Sequence, residues 1–174
     1  RADGTPIMVS EGVSTTLQRQ AIGGKEGHHD ERWLQRLIHR HPISIPMDQI
    51  EPGLPSLVPI CMELSLPSGY LDNLFMTPYG DIVIVEVKLF RNSQARREVV
   101  AQALDYASAL FGMQYESLEE AVLKSDFDGA QAPTRLYELF TDADTLDEPA
   151  FVDAVNMNLK NGRIVVLVIG DGIR

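Results

Sequence analysis

The stretch Ile82-Val83-Ile84-Val85-Glu86-Val87-Lys88 carries the signal for the fold. A period of two places Glu86 and Lys88 on one face of a strand and Val83, Val85 and Val87 on the other. A carboxylate and an ammonium therefore share one face of a segment that is otherwise apolar on both sides. Burying charge is costly unless the charge is paired or binds a metal ion. The preceding segment supplies a second carboxylate. Gly69-Tyr70-Leu71-Asp72 opens a strand that Pro78-Tyr79-Gly80 turns back onto residues 81–90, and this hairpin can bring Asp72 beside Glu86. Two close carboxylates raise each other's pKa unless a cation sits between them, and hard oxygen ligands favour Mg2+ or Mn2+. An ordinary cross-strand salt bridge near a sheet end is the alternative. The acid-x-Lys tripeptide alone is expected by chance about once per 150 positions.

Upstream, Ile60, Met62, Leu64 and Leu66 alternate with Cys61, Glu63 and Ser65, which predicts a strand with Glu63 on its less apolar face. Pro67-Ser68-Gly69 turns it into the next strand, so three consecutive strands form an antiparallel meander. Before the meander, Trp33, Leu34, Leu37 and Ile38 fall at helical spacing from Asp30 onward, and Pro42 ends that helix ahead of a proline-rich connection over residues 42–59. Residues 1–27 are rich in Gly, Ser and Thr without clear periodicity, end in Gly23, Gly24 and Gly27, and read as a flexible lead-in. The domain proper spans residues 28–174.

Downstream, Asn92 or Ser93 is a natural N-cap for a helix that runs to about Leu110, with Val99, Ala103, Tyr106, Ala107 and Leu110 on one side. Ser117 and Glu120 form a capping box for a short helix, residues 133–140 predict another, and residues 149–159 a third ending at Asn161 and Gly162. Together these make a helical insertion over about residues 112–161. Residues 164–169, all Val, Ile or Leu, predict a strand buried on both faces, and Gly170-Asp171-Gly172 a turn after it. The expected class is α/β: helix, three-strand meander, helix, inserted helices, strand.

At 174 residues the chain fits one domain with a substantial core. Its 44% apolar and 23% charged residues exclude a disordered or fibrous protein. The only cysteine, Cys61, excludes an internal disulfide framework and a cysteine-rich zinc site, which makes a reducing cytoplasmic setting the expectation. No apolar run approaches the roughly 18 residues of a membrane span, and residues 1–12 lack a signal-peptide core. The absent initiator Met and the end just after an apolar strand read as a piece of a longer protein. Net charge is −10, yet residues 116–153 carry 11 acidic residues against Lys124 and Arg135, a balance of −9. The rest is nearly neutral, so pooled charge decides little about a nucleic-acid partner.

On the long helix Gln102 and Tyr106 are four apart and share a face. Asp72, Glu86-Val87-Lys88 and Gln102-x-x-x-Tyr106, preceded by helical Glu31, resemble the PD-(D/E)XK nuclease superfamily with its QxxxY helix. Residues 31–106, with Gly69-Tyr70-Leu71-Asp72 and Arg96-Arg97-Glu98-Val99-Val100-Ala101-Gln102, look most like the branch typified by NucS endonucleases. Residues 164–172 match loosely. Leu71 stands where the family name has Pro, and the acidic insertion departs further.

The resemblance implies a restriction-endonuclease-like core with an inserted acidic helical subdomain, and a metal-dependent DNA endonuclease for single-stranded, branched or damaged DNA. A catalytically inactive nucleic-acid or protein-binding module on the same fold is the alternative. Asp72, Glu86 and the Val87 backbone carbonyl would hold Mg2+ or Mn2+. Lys88 would orient the attacking water or stabilise the pentacoordinate phosphate. Glu31 would complete the site through a metal-bound water, or be only a helix N-terminal acid favoured by the dipole. Gln102 and Tyr106 would brace the site and meet the phosphate backbone, or simply close the sheet edge. DNA is the expected partner, with a homodimer and a further domain left open.

Arg91, Arg96 and Arg97 flank the strand-to-helix junction as candidate phosphate contacts, with a solvated helix start as the alternative. Arg32, Arg36 and Arg40 recur every four residues as a phosphate-facing stripe or a solvent face. Glu63 reads as a solvated strand residue rather than a fourth acid. His28 and His29 fall at the lead-in, and His39 and His41 suit a helix C-terminus; no His-Glu-x-x-His spacing exists, so zinc is not expected. Gly23-Gly24-Lys25 lacks P-loop spacing.

Overall fold

The computed structural model describes residues 5–18, 22, 29–89, 93–140 and 145–170, apart from the side chains of residues 93–96. Its elements run β1 (Ile7–Ser10), β2 (Val13–Thr16), α1 (Glu31–Arg40), α2 (Met47–Ile50), β3 (Val58–Leu66), β4 (Gly69–Met76), β5 (Ile82–Val87), α3 (Ser93–Leu110), α4 (Tyr115–Leu123), α5 (Glu148–Asn161) and β6 (Ile164–Ile169). The fold is mixed α/β. One four-stranded sheet has the order β3-β4-β5-β6. Its first three strands are the antiparallel meander, and β6 lies parallel to β5, from Ile82↔Ile164 to Val87↔Ile169. A parallel neighbour needs a long crossover, which α3, α4 and α5 supply.

Strand alternation divides the core in two. Phe75, Val83, Val85 and Val87 pack beneath Leu34 and Ile38 of α1. Leu74, Met76, Ile82 and Ile84 belong to the other layer, with Tyr106 and Leu110 of α3, Leu118 and Val122 of α4, and Phe151, Val155 and Leu159 of α5. Each such side chain, fully buried, favours folding by about 1.5–3 kcal/mol. The acidic helices thus share the core of the sheet. Asp147 caps α5 by accepting from the Ala150 N–H at 2.9 Å, and Gly162 ends it in the left-handed conformation, φ 65°.

Several local expectations are corrected. The stretch read as lacking periodicity carries the β1–β2 hairpin, turned by Glu11 and Gly12 at φ 49° and 79°. Its eight strand residues are all exposed, so no burial pattern marked it. Helix α4 starts at Tyr115 with Gln114 as N-cap, not at a Ser117 capping box; Asn156 of α5 accepts the Tyr115 N–H at 2.8 Å, and Glu120 pairs with Lys124 instead. Residues 133–140 hold only a single 3-10 turn, Leu136–Leu139. There carboxylates take the backbone donors, Glu138 from Thr134 at 2.9 Å and Glu119 from Leu136 at 2.8 Å. Strand β6 is half-buried rather than buried on both faces, because it is the edge of the described sheet. His39 lies in the last turn of α1 but is buried, 8% exposed, against Phe75, and burial lowers its pKa. Among the described residues no helix is long and apolar enough to cross a membrane.

Candidate functional site

Asp72 on β4 and Glu86 on β5 are opposite one another, one step beyond the Asn73↔Val85 pair. Asp72 Oδ2 accepts from the Val87 backbone N–H at 2.7 Å. Burial pushes Asp72 up to about 6; the Val87 hydrogen bond opposes this, and the Glu63 and Glu31 charges add to it. Glu86 is 5% exposed, and burial first, then the Asp72 charge, pushes it up to about 8. Its Oε2 is buried without a hydrogen-bond partner among the described residues.

Lys88 makes no ion pair with these acids, although its charge opposes the upward shift of both. Its Nζ donates to Glu31 Oε2 at 3.1 Å, while Glu31 Oε1 accepts the Leu89 N–H, also at 3.1 Å. Glu31 reaches this point because Asp30 caps α1, its Oδ1 accepting the Trp33 N–H at 2.8 Å. Among the described residues no Lys, Arg or His lies within ion-pair distance of Asp72, Glu86 or Glu63. The ion pair that Lys88 makes runs to helix α1 rather than across the sheet.

Gln102 and Tyr106 meet as their spacing predicts. Gln102 Nε2 donates to the Tyr106 hydroxyl at 2.7 Å, and that hydroxyl donates to the Tyr70 carbonyl at 2.9 Å. Tyr106 is 1% exposed, so the pair braces the start of β4 from α3, and Gln102 is its exposed member. Gly69 makes room for it: at φ 138°, a Cβ there would lie 3.1 Å from the Tyr106 hydroxyl.

Of two further residues at the site, the sequence reading makes Glu63 a solvated strand residue rather than a fourth acid and does not single out Gln35. Glu63 adopts φ 54°, a left-handed conformation inside β3, and the register steps over it from Met62↔Asn73 to Leu64↔Leu71, opposite Asp72. It is half-buried rather than solvated. Gln35, 4% exposed on α1, donates through Nε2 to Glu63 Oε1 at 2.9 Å and to the Asp72 carbonyl at 2.7 Å. The available signal was its position four residues after Glu31, between Leu34 and Ile38.

Of the basic candidates, Arg97 is exposed on α3, whereas Arg91 and the side chain of Arg96 lie outside the described residues, as do His28 and Gly23-Gly24-Lys25. Arg32, Arg36 and Arg40 face the acidic stretch. Arg32 pairs with Asp126 at 3.4 Å, Arg36 with Asp128 at 3.2 Å, and Arg40 also with Asp128. Reciprocal backbone hydrogen bonds between Asp126 and Met62, at 2.7 and 3.0 Å, pin that loop to β3.

Among the described residues no three His, Cys, Asp or Glu side chains form a group that could hold a metal ion. The fit therefore rests on two carboxylates. Asp72 and Glu86 are hard oxygen donors, mutually repelling, and one buried oxygen is unpartnered; that donor set suits a hard divalent cation. No family model, no curated protein and no solved structure matches the chain.

Proposed function

We propose that the chain is a divalent-cation-dependent DNA phosphodiesterase with a restriction-endonuclease-like core, acting on single-stranded, branched or damaged DNA. One observation carries the reading: Asp72 and Glu86 stand together, without a basic side chain in ion-pair reach among the described residues, and leave Glu86 Oε2 buried and unpaired. An uncompensated buried carboxylate is expensive, and a bound cation removes the cost.

Asp72 and Glu86, with the Val87 carbonyl that the family resemblance implies, would hold Mg2+ or Mn2+. When bound, the cation supplies charge neutralisation and lowers the pKa of water, as hydrolysis of a phosphodiester at neutral pH requires. Lys88, steadied by Glu31, is the cationic group nearest in sequence to the two acids and is assigned to orient water or offset charge on the phosphorane-like transition state. Gln102 and Tyr106 fix the start of β4, hence the backbone that carries Asp72. Arg97 is assigned to phosphate contact.

The second reading, a binding module without catalysis, draws on the net charge of −10 and on the pairing of Arg32, Arg36 and Arg40 with Asp126 and Asp128. Incubation with single-stranded, branched and mismatched DNA separates the two. The nuclease reading expects cleavage with Mn2+ or Mg2+ and none with EDTA; binding without cleavage under both conditions selects the module.

A further inference from the structure

We propose that Glu63 is a further acid of this site and that Gln35 is the positioning residue that holds it there, an inference that rests on the cation-dependent reading. Three features of the structure converge on Glu63. It occupies a left-handed conformation at φ 54° in the middle of β3, which for a non-glycine residue costs about 1–2 kcal/mol and needs a compensating contact. It interrupts the β3–β4 ladder at the position facing Asp72, one strand removed from Glu86. It has no basic partner within ion-pair distance among the described residues. A solvated residue in a regular strand would show neither of the first two.

Gln35 explains how the arrangement persists. One buried amide nitrogen joins the Glu63 carboxylate at 2.9 Å to the Asp72 backbone carbonyl at 2.7 Å, so α1 ties β3 to β4 at the point where they lack pairing. Asn73 Nδ2, 3.4 Å from the Gln35 carbonyl, adds a second tie. The Glu86 Oε2, buried and without a hydrogen-bond partner among the described residues, is the independent observation that points to a cation here. No three carboxylates here form a direct ligand set among the described residues, so Glu63 acts at one remove, through its charge and through water. Its negative charge strengthens cation binding without occupying a ligand position.

The test is calorimetric titration of Mn2+ into the wild-type chain, Glu63→Gln and Gln35→Met, with thermal unfolding of each in the absence of metal. Glu63→Gln keeps the acceptor for Gln35 and removes only the charge; it should weaken Mn2+ affinity about tenfold while leaving metal-free stability unchanged or raised. Gln35→Met should weaken affinity in the same direction by releasing Glu63. If that variant fails to fold, Glu63→Gln alone decides. Unaltered Mn2+ affinity in Glu63→Gln beside a wild type that binds overturns this inference and spares the reading beneath it. A wild type that binds no Mn2+ overturns both.

Discussion

The Lys88 ammonium donates to Glu31 at 3.1 Å and not to Glu86, two residues before it on the same strand. Helix α1 thereby takes the ammonium carried two residues beyond Glu86. Burial pushes Asp72 up to about 6, with the Glu63 and Glu31 charges adding to it, and burial followed by the Asp72 charge pushes Glu86 up to about 8.

That arrangement predicts a pH dependence. When the folded pKa of a carboxyl lies above its unfolded value, the folded chain binds more protons, and metal-free stability falls as pH rises from about 4 through the folded pKa. His39 acts oppositely, because its lowered pKa favours the folded state as pH rises toward its ordinary value. The difference between wild type and Glu86→Gln isolates the site. Glu86→Gln should raise metal-free stability little near pH 5 and, near pH 8, by on the order of 2 kcal/mol, about 4–8 °C in Tm. Thermal melts at both pH values check this; a Glu86→Gln chain less stable than wild type at the higher pH contradicts it.

Removing the Tyr106 hydroxyl should cost stability without costing metal. Tyr106→Phe loses the bonds to the Tyr70 carbonyl and from Gln102, about 1–2 kcal/mol together, while Mn2+ affinity stays near wild type and cleavage slows. Gly69→Ala should be worse, since it meets both the strained φ of 138° and the same hydroxyl at 3.1 Å. Calorimetry and single-turnover rates on these variants are the check; loss of Mn2+ binding in Tyr106→Phe would remove the bracing role.

Where burial imposes a period, the sequence was legible. The meander, α3 and the pairing of Gln102 with Tyr106 follow from alternation and from four-residue spacing, because each has one apolar side. Gln35 and Glu63 were not, since their contact spans 28 residues and depends on how α1 settles over β3. Nor was the partner of Arg32, Arg36 and Arg40, whose choice between phosphate, water and protein is made by a loop 88 to 94 residues away. Composition likewise says that 164–169 is a strand but not that it stands at an edge.

Freeing those arginines should change DNA binding more than stability. Asp126→Asn with Asp128→Asn leaves exposed guanidinium groups without their partners, and exposed ion pairs contribute little to folding. Affinity for single-stranded DNA at low salt should rise and its salt slope steepen by up to about two units, while Arg97→Ala flattens the slope by up to about one. Fluorescence anisotropy over a salt series measures both; an unchanged affinity in the Asp variants takes the α1 stripe off the DNA path.

The most direct test of the central claim is single-turnover cleavage of labelled branched DNA in Mn2+ by wild type, Asp72→Ala, Glu86→Ala and Lys88→Ala, each verified as folded by its thermal melt. Wild type should cleave in a cation-dependent way and all three variants should lose cleavage, with metal-free stability held or raised in the two carboxylate variants. Cleavage persisting in any two of the three variants, or a wild type that cuts equally well in EDTA, would contradict the claim.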